Sequence, residues 1–69
     1  MNKIILHPTD YVIVGTDDSM VRFVKSKEVI IFGSYEEAKL DCGIDERVVP
    51  TNVLSEKNKE ILIKQIQAS

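Results

Sequence analysis

Apolar residues recur in short runs through the first half of the chain, and each run is followed by residues typical of turns. The runs occupy residues 3–6, 11–14, 20–25 and 28–32. Within residues 20–25, the apolar Val21 and Phe23 alternate with the basic Arg22, as in a strand buried on one face. Residues 11–14 are a continuous β-branched and aromatic run. The pattern predicts four strands, the last three of which form an antiparallel meander.

A short helix is predicted between Ser34 and Gly43. Ser34 and Glu37 have the spacing of a capping box, in which the serine oxygen accepts from the backbone N–H of the glutamate. Gly43 is expected to end the helix in a left-handed conformation. The stripe expected to face the sheet carries Tyr35, Ala38 and Cys42. Leu40 lies on the opposite side, which is an anomaly for so short a helix.

A brief fifth strand and a second helix follow. The strand covers residues 47–49 and ends at Pro50, because proline cannot donate to a ladder. After a turn at 51–54, Ser55 caps a helix that runs to about Ala68. The apolar residues of this helix are Ile61, Leu62, Ile63 and Ile66. They spread over roughly half of the circumference, which is wider than the usual core stripe.

The predicted fold is therefore α+β, with the element order β-β-β-β-α-β-α. It has a small antiparallel sheet of about three to five strands, a short central helix and a C-terminal helix. Residues 11–14 and 29–32 carry apolar side chains in both directions, unlike strands with one solvated face. Either the two helices cover opposite faces of the sheet, or one face is an apolar patch for a partner or a second copy of the chain.

Composition limits the function classes. The 69 residues form one domain, 1–69, and a chain of this size buries only roughly 60% of the surface that it exposes when unfolded. A single cysteine excludes an internal disulfide, so a partner or self-association is the remaining source of extra stability. The net charge of −2 gives no long-range attraction for nucleic acid or an anionic membrane.

We expect a cytoplasmic protein without membrane association. The apolar run Ile4, Ile5 and Leu6 is far shorter than a signal-peptide core or a membrane span. One unpaired cysteine fits a reducing compartment.

Few residues are suited to chemistry. His7 and Cys42 are the only histidine and cysteine, which excludes a four-ligand Cys/His metal site. Cys42 is expected at the C-terminal end of its helix near Asp41 and Asp45, where the helix dipole and the carboxylates disfavour a thiolate. We therefore interpret Cys42 as a buried structural thiol.

Neither metal-binding nor nucleotide-binding motifs are recognisable. The adjacent Asp17 and Asp18 lack the spacing of a calcium loop and are typical of turns. Gly15 and Gly33 are isolated, so no glycine-rich phosphate loop is present. We predict that the protein is not an enzyme and uses neither a metal nor a cofactor.

The densest cluster of one charge is acidic and covers the first helix and the link after it. It comprises Glu36, Glu37, Asp41, Asp45 and Glu46. We predict a small protein-binding module, a modulator, inhibitor or adaptor of a larger protein, whose partner presents arginine or lysine. A solvated helix face with dipole-favourable charges is the alternative interpretation. Small chains without site chemistry are of the kind that phages and mobile elements encode.

The alternative function is nucleic-acid binding through the basic segment 21–27. Arg22, Phe23, Lys25 and Lys27 combine basic side chains with one aromatic ring, as RNA-stacking sheets do. The segment lacks the glycine and the further aromatics of an RRM strand, and the element order is not that of an RRM. An ordinary amphipathic strand produces the same pattern.

Overall fold

The computed structural model describes residues 5–68 and contains two strands, two α-helices and one short 3-10 helix. In chain order these are β1 (Tyr11–Gly15), α1 (Tyr35–Asp41), β2 (Glu46–Pro50), the 3-10 helix (Thr51–Val53) and α2 (Glu56–Ala68). The two strands form an antiparallel sheet. The predicted α+β class and the two helices are confirmed, whereas the predicted strand number and the order β-β-β-β-α-β-α are not.

β1 is the central strand because the chain pairs with both of its edges. Along one edge, Pro50, Val49, Val48, Arg47 and Glu46 lie opposite Tyr11 to Gly15 in that order. Along the other edge, Met20 forms an isolated bridge with Val14, and Phe32 forms one with Tyr11. The β-branched residues of β1 fit this buried, pleated position.

The segments 20–25 and 28–32 do not form the predicted meander strands. The chain reverses direction within the first segment, and Lys27 has a left-handed backbone with a φ of 60°. In the resulting hairpin Arg22 and Val29 form an isolated bridge, and backbone hydrogen bonds join Phe23 to Glu28 and Ile30 to Val21. The pairing in these segments stays limited to isolated bridges and does not extend into a regular ladder.

Two other predicted strands have different outcomes. The strand predicted at 3–6 begins outside the described residues, and Ile5 and Leu6 belong to no strand. The strand predicted at 47–49 is present as β2, with one more residue at each end.

The two helices cover opposite faces of the sheet. Side chains alternate along a strand, so Val12 and Val14 point to one face and Ile13 to the other. The cluster on the α2 side consists of Val12, Val14, Met20, Val29, Leu54 and Leu62. The cluster on the α1 side consists of Ile13, Phe32 and Ala38, with Cys42 and Val48 packed against it. Both faces of β1 are therefore covered within the chain, which explains its lack of alternation.

α1 begins as its capping pattern predicts but ends differently. The Ser34 hydroxyl accepts from the Glu37 backbone N–H at 3.2 Å. Gly43 is not left-handed, so the predicted glycine stop is wrong, and Cys42 ends the helix in an extended conformation. The Gly43 N–H instead donates to the Glu46 carboxylate at 2.8 Å. That bond fixes the turn into β2 without a left-handed residue.

Polar side chains attach α2 to the loop after β1 and to the hairpin. Asn58 is 2% exposed, and its amide donates to the Asp18 carbonyl at 2.9 Å. The Ser55 hydroxyl caps α2 through the Asn58 N–H. Gln65 accepts from the Val29 N–H at 2.6 Å and donates to the Val29 carbonyl at 3.0 Å. The Gln65 amide thus pairs with Val29 much as a neighbouring strand residue would.

Candidate protein-binding surface

The five acidic residues singled out from the sequence lie together on α1 and the turn into β2. Glu36 and Glu37 are in the first turn of α1, and Asp41 is its last residue. All of them are exposed except Glu46, which is half-buried and bonded to the Gly43 N–H. Among residues 5–68, the ion pairs lie within α2, so these carboxylates have no cationic partner in the described part of the chain.

Two large aliphatic side chains stand among these carboxylates. Leu40 is 86% exposed and Ile44 is fully exposed. Leu40 follows Glu36 by four residues and Glu37 by three, so the three side chains share one side of α1. We call this region the acidic surface; its members are Glu36, Glu37, Leu40, Asp41, Ile44, Asp45 and Glu46. An apolar centre with a charged rim is the usual composition of a binding patch.

An open cavity of about 320 Å³ adjoins the acidic surface. The loop after β1 forms one wall with Thr16 and Asp18, and Ile44, Asp45 and Arg47 form the other. Its volume is at the low end of the range of ligand pockets. The cavity is therefore large enough to receive a side chain of a docked partner beside Ile44.

The energy available from the exposed aliphatic pair indicates how large a partner must be. Burying a leucine or isoleucine side chain is worth about 1.5–3 kcal/mol, so the pair supplies about 3–6 kcal/mol. Association costs an estimated 4–15 kcal/mol in lost freedom of motion. Leu40 and Ile44 alone would therefore not form a complete interface, and any partner that buried them would also have to cover the surrounding carboxylates and the cavity.

The basic segment forms the tip of the hairpin that follows β1. Arg22, Phe23, Lys25 and Lys27 are all exposed, and Phe23 retains 51% of its accessible surface. Val24, at the turn, is 95% exposed. We call these five residues the basic hairpin. Because the chain turns here, the strand predicted over residues 20–25 is absent, and the hairpin presents a single aromatic ring.

The aspartate pair after β1 has a structural role. Asp17 accepts from the Ser19 N–H at 3.1 Å and from the Ser19 hydroxyl at 3.0 Å. These bonds hold the pKa of the Asp17 carboxyl below its ordinary value because they stabilise the charged form. The Asp18 carboxylate accepts from Ser55 at 3.1 Å. Among the described residues, no group of three or more His, Cys, Asp or Glu is placed to hold a metal ion.

His7 and Cys42 are not joined by a hydrogen bond. The Cys42 thiol donates to the neighbouring Gly43 carbonyl at 3.7 Å and is only half-buried, rather than fully buried as predicted. The His7 carbonyl accepts from the hydroxyl of buried Thr51 at 2.7 Å. His7 therefore helps to attach the N-terminal segment, through its backbone, beside the end of β2.

Ile44 is the member of the acidic surface that sequence reasoning missed. It is a lone aliphatic residue between Gly43 and Asp45, in a link that was interpreted only by its charge. The sequence signal that could have identified Ile44 is an isolated aliphatic residue in a short polar link. Leu40, on the outer side of α1, gives the same kind of signal within the helix.

Comparison with known proteins found no match: no protein family, curated protein or solved structure is significantly similar to this chain. None of the helices in the described residues is long and apolar enough to cross a membrane. Function is therefore inferred from the chain's own surfaces.

Proposed function

We propose that this chain is a small protein-binding module that modulates, inhibits or adapts a larger protein through the acidic surface. The observation that carries the proposal is the pair of exposed aliphatic side chains, Leu40 and Ile44, set among carboxylates that lack cationic partners in the described chain. Apolar anchors supply affinity on desolvation, and the carboxylates select a partner with lysine or arginine around an apolar pocket. The module has no chemistry of its own.

The proposed setting is the cytoplasm, on the grounds of the single unpaired cysteine. A phage or mobile element is the proposed origin, on the grounds of chain size alone. The test of protein binding depends neither on the cellular location nor on the origin of the chain.

Site-specific photo-crosslinking tests the proposal directly. A benzophenone amino acid is introduced at Leu40, which is so exposed that replacement should leave folding intact. The matched control carries the same group at Asn52, which is exposed on the 3-10 helix. Both proteins are irradiated in lysate of the source cell, and the products are identified by mass spectrometry.

The expected result is one dominant adduct from Leu40 that is absent from Asn52. Unlabelled wild-type protein should compete for it, whereas a competitor with Asp41→Lys and Asp45→Lys should not. Equal labelling from both positions, or competition by the charge-reversed protein, would show that the acidic surface is only a solvated face.

Nucleic-acid binding is the second candidate, because the basic hairpin presents three cations beside Phe23 and Val24. Retention on heparin and on single-stranded RNA tests it. Retention that falls with salt and disappears with Lys25→Glu and Lys27→Glu would support this candidate. If the protein passes through both columns at low ionic strength, nucleic-acid binding by the basic hairpin is excluded.

A further inference from the structure

We infer that the basic hairpin of one copy docks on the acidic surface of a second copy, so that the chain associates head to tail. The inference rests on the proposed function, because it names one partner of the acidic surface. It is based on the composition and exposure of the two surfaces and on the lack of ion pairs between them within the described residues.

The two surfaces are built alike but with opposite charge. Each presents two exposed apolar side chains: Phe23 and Val24 on the hairpin, and Leu40 and Ile44 on the acidic surface. The hairpin pair is flanked by Arg22, Lys25 and Lys27, with the exposed Glu28 next in the chain. The other pair is flanked by five carboxylates, with the exposed Lys39 and Arg47 among them, so the local net charges of the two surfaces remain opposite. Docking one on the other would bury both apolar pairs and bring opposite charges together at the rim, which favours encounter and sets orientation.

The cations of the basic hairpin remain available for such a contact. Arg22 donates to the Lys27 carbonyl at 3.1 Å, which orients its guanidinium without neutralising it. The ion pairs among the described residues lie within α2, so no described carboxylate pairs with Lys25 or Lys27.

α1 lies on a face of the sheet together with the hairpin arms, whose Val21 and Ile30 pack against the same cluster as Ala38, but no ion pair joins the two surfaces within the described residues. β2 lies along one edge of β1, and the turn that carries Ile44 and Asp45 leads directly into it. The hairpin leaves from the other edge, where Met20 pairs with Val14. A contact between the surfaces is therefore intermolecular.

A contact between two different surfaces is heterologous, so it generates rings or open chains rather than a two-fold dimer. Two apolar side chains on each partner are fewer than a standard interface provides. The association is accordingly weak, and it is measured at high protein concentration and low ionic strength.

The test is sedimentation velocity on charge-swapped proteins whose folding is verified by circular dichroism. One protein carries Lys25→Glu and Lys27→Glu, a second carries Asp41→Lys and Asp45→Lys, and a third carries all four changes. Wild type should exceed the monomer mass and return to it at high salt. The first two proteins should be monomeric alone. Their equimolar mixture and the four-change protein should both regain the wild-type mass distribution.

Lys57→Glu, which reverses an exposed lysine on α2, is the control and should associate as wild type does. A monomeric wild type, or association that survives either pair of reversals, would overturn the inference. Photo-crosslinking from Leu40 to a different protein would leave the proposed function standing in that case. Association without any adduct to a different protein would support the inference and restrict the acidic surface to self-assembly.

Discussion

Replacing Gln65 by alanine should destabilise the fold far more than its position near the end of α2 indicates. The side-chain amide forms two hydrogen bonds with the backbone of Val29, at 2.6 and 3.0 Å, across 36 positions of sequence. Val29 is 2% exposed, so water reaches its backbone poorly once the amide is removed. These bonds join α2 to the hairpin.

The magnitude follows from the number of bonds. Each hydrogen bond contributes about 1 kcal/mol net, and an unsatisfied buried partner raises the loss, so Gln65→Ala should cost about 2–4 kcal/mol. A small domain without disulfides has only about 3–5 kcal/mol of total stability. A loss of about 2 kcal/mol corresponds to a fall in Tm of about 8–16 °C for a chain of this length.

Urea unfolding and thermal melts followed by circular dichroism measure this change. The control is Gln67→Ala, which truncates an exposed glutamine on the same helix and should stay within about 0.5 kcal/mol of wild type. Hydrogen exchange should show that the Val29 amide loses its protection in Gln65→Ala alone. Equal unfolding midpoints for the two variants would refute the reasoning.

The substitution Gln65→Glu distinguishes the contributions of the two hydrogen bonds to stability. The introduced carboxylate still accepts from the Val29 N–H but faces the Val29 carbonyl without a proton to donate. Protonation restores a donor, and the facing carbonyl raises the pKa of the carboxyl in the folded state, so the stability difference from wild type should shrink as the pH falls towards about 4.3 and be smallest below it. A difference that does not change with pH would show that only the N–H bond contributes.

Three further outcomes are expected. Leu62→Ala should cost about 2–5 kcal/mol because the side chain is fully buried, whereas Leu40→Ala should stay within about 0.5 kcal/mol of wild type; denaturant titration measures both. Cys42→Ser should cost less than about 1 kcal/mol, since the thiol is half-buried, and should leave partner binding unchanged in a pull-down. An NMR titration should find the pKa of Asp17 below about 3.9. Its stabilising contribution is therefore present above that pH and is lost as the pH falls through the folded-state value, and Ser19→Ala should raise the pKa towards normal.

Local sequence signals predicted the elements whose determinants lie within a few residues. The capping pattern of Ser34 and Glu37 placed the start of α1 correctly. The β-branched runs of β1 and β2 placed both strands, because these residues fit a buried, pleated surface. The non-alternating pattern of residues 11–14 left two alternatives open, and coverage by both helices is the one observed.

The hairpin and the end of α1 depend on features that local patterns did not signal. Ser26 and Lys27 predict a tight connection, but the chain already turns at residues 24–26, and Lys27 adopts a left-handed backbone that its residue type does not signal. Gly43 has the residue type of a left-handed stop, but the Glu46 carboxylate binds its N–H and removes the need for one. The pairing of Gln65 with Val29 is long-range and has no local pattern at all.

The acidic surface was only partly predictable. Its carboxylates are visible as a charge cluster, whereas the exposure of Ile44 depends on how the turn into β2 packs. Charge alone left the cluster indistinguishable from a solvated helix face. The exposed aliphatic pair is what favours a binding surface over that interpretation.

The most direct test of this account is the association rate with the partner captured from Leu40. Stopped-flow kinetics would compare wild type with the protein carrying Asp41→Lys and Asp45→Lys over a range of ionic strengths. The control reverses Glu56, an exposed acid on α2. Loss of electrostatic steering should slow association by about tenfold or more at low salt and by little at high salt. Equal rates and equal salt dependence for wild type and the charge-reversed protein would contradict a docking role for the acidic surface.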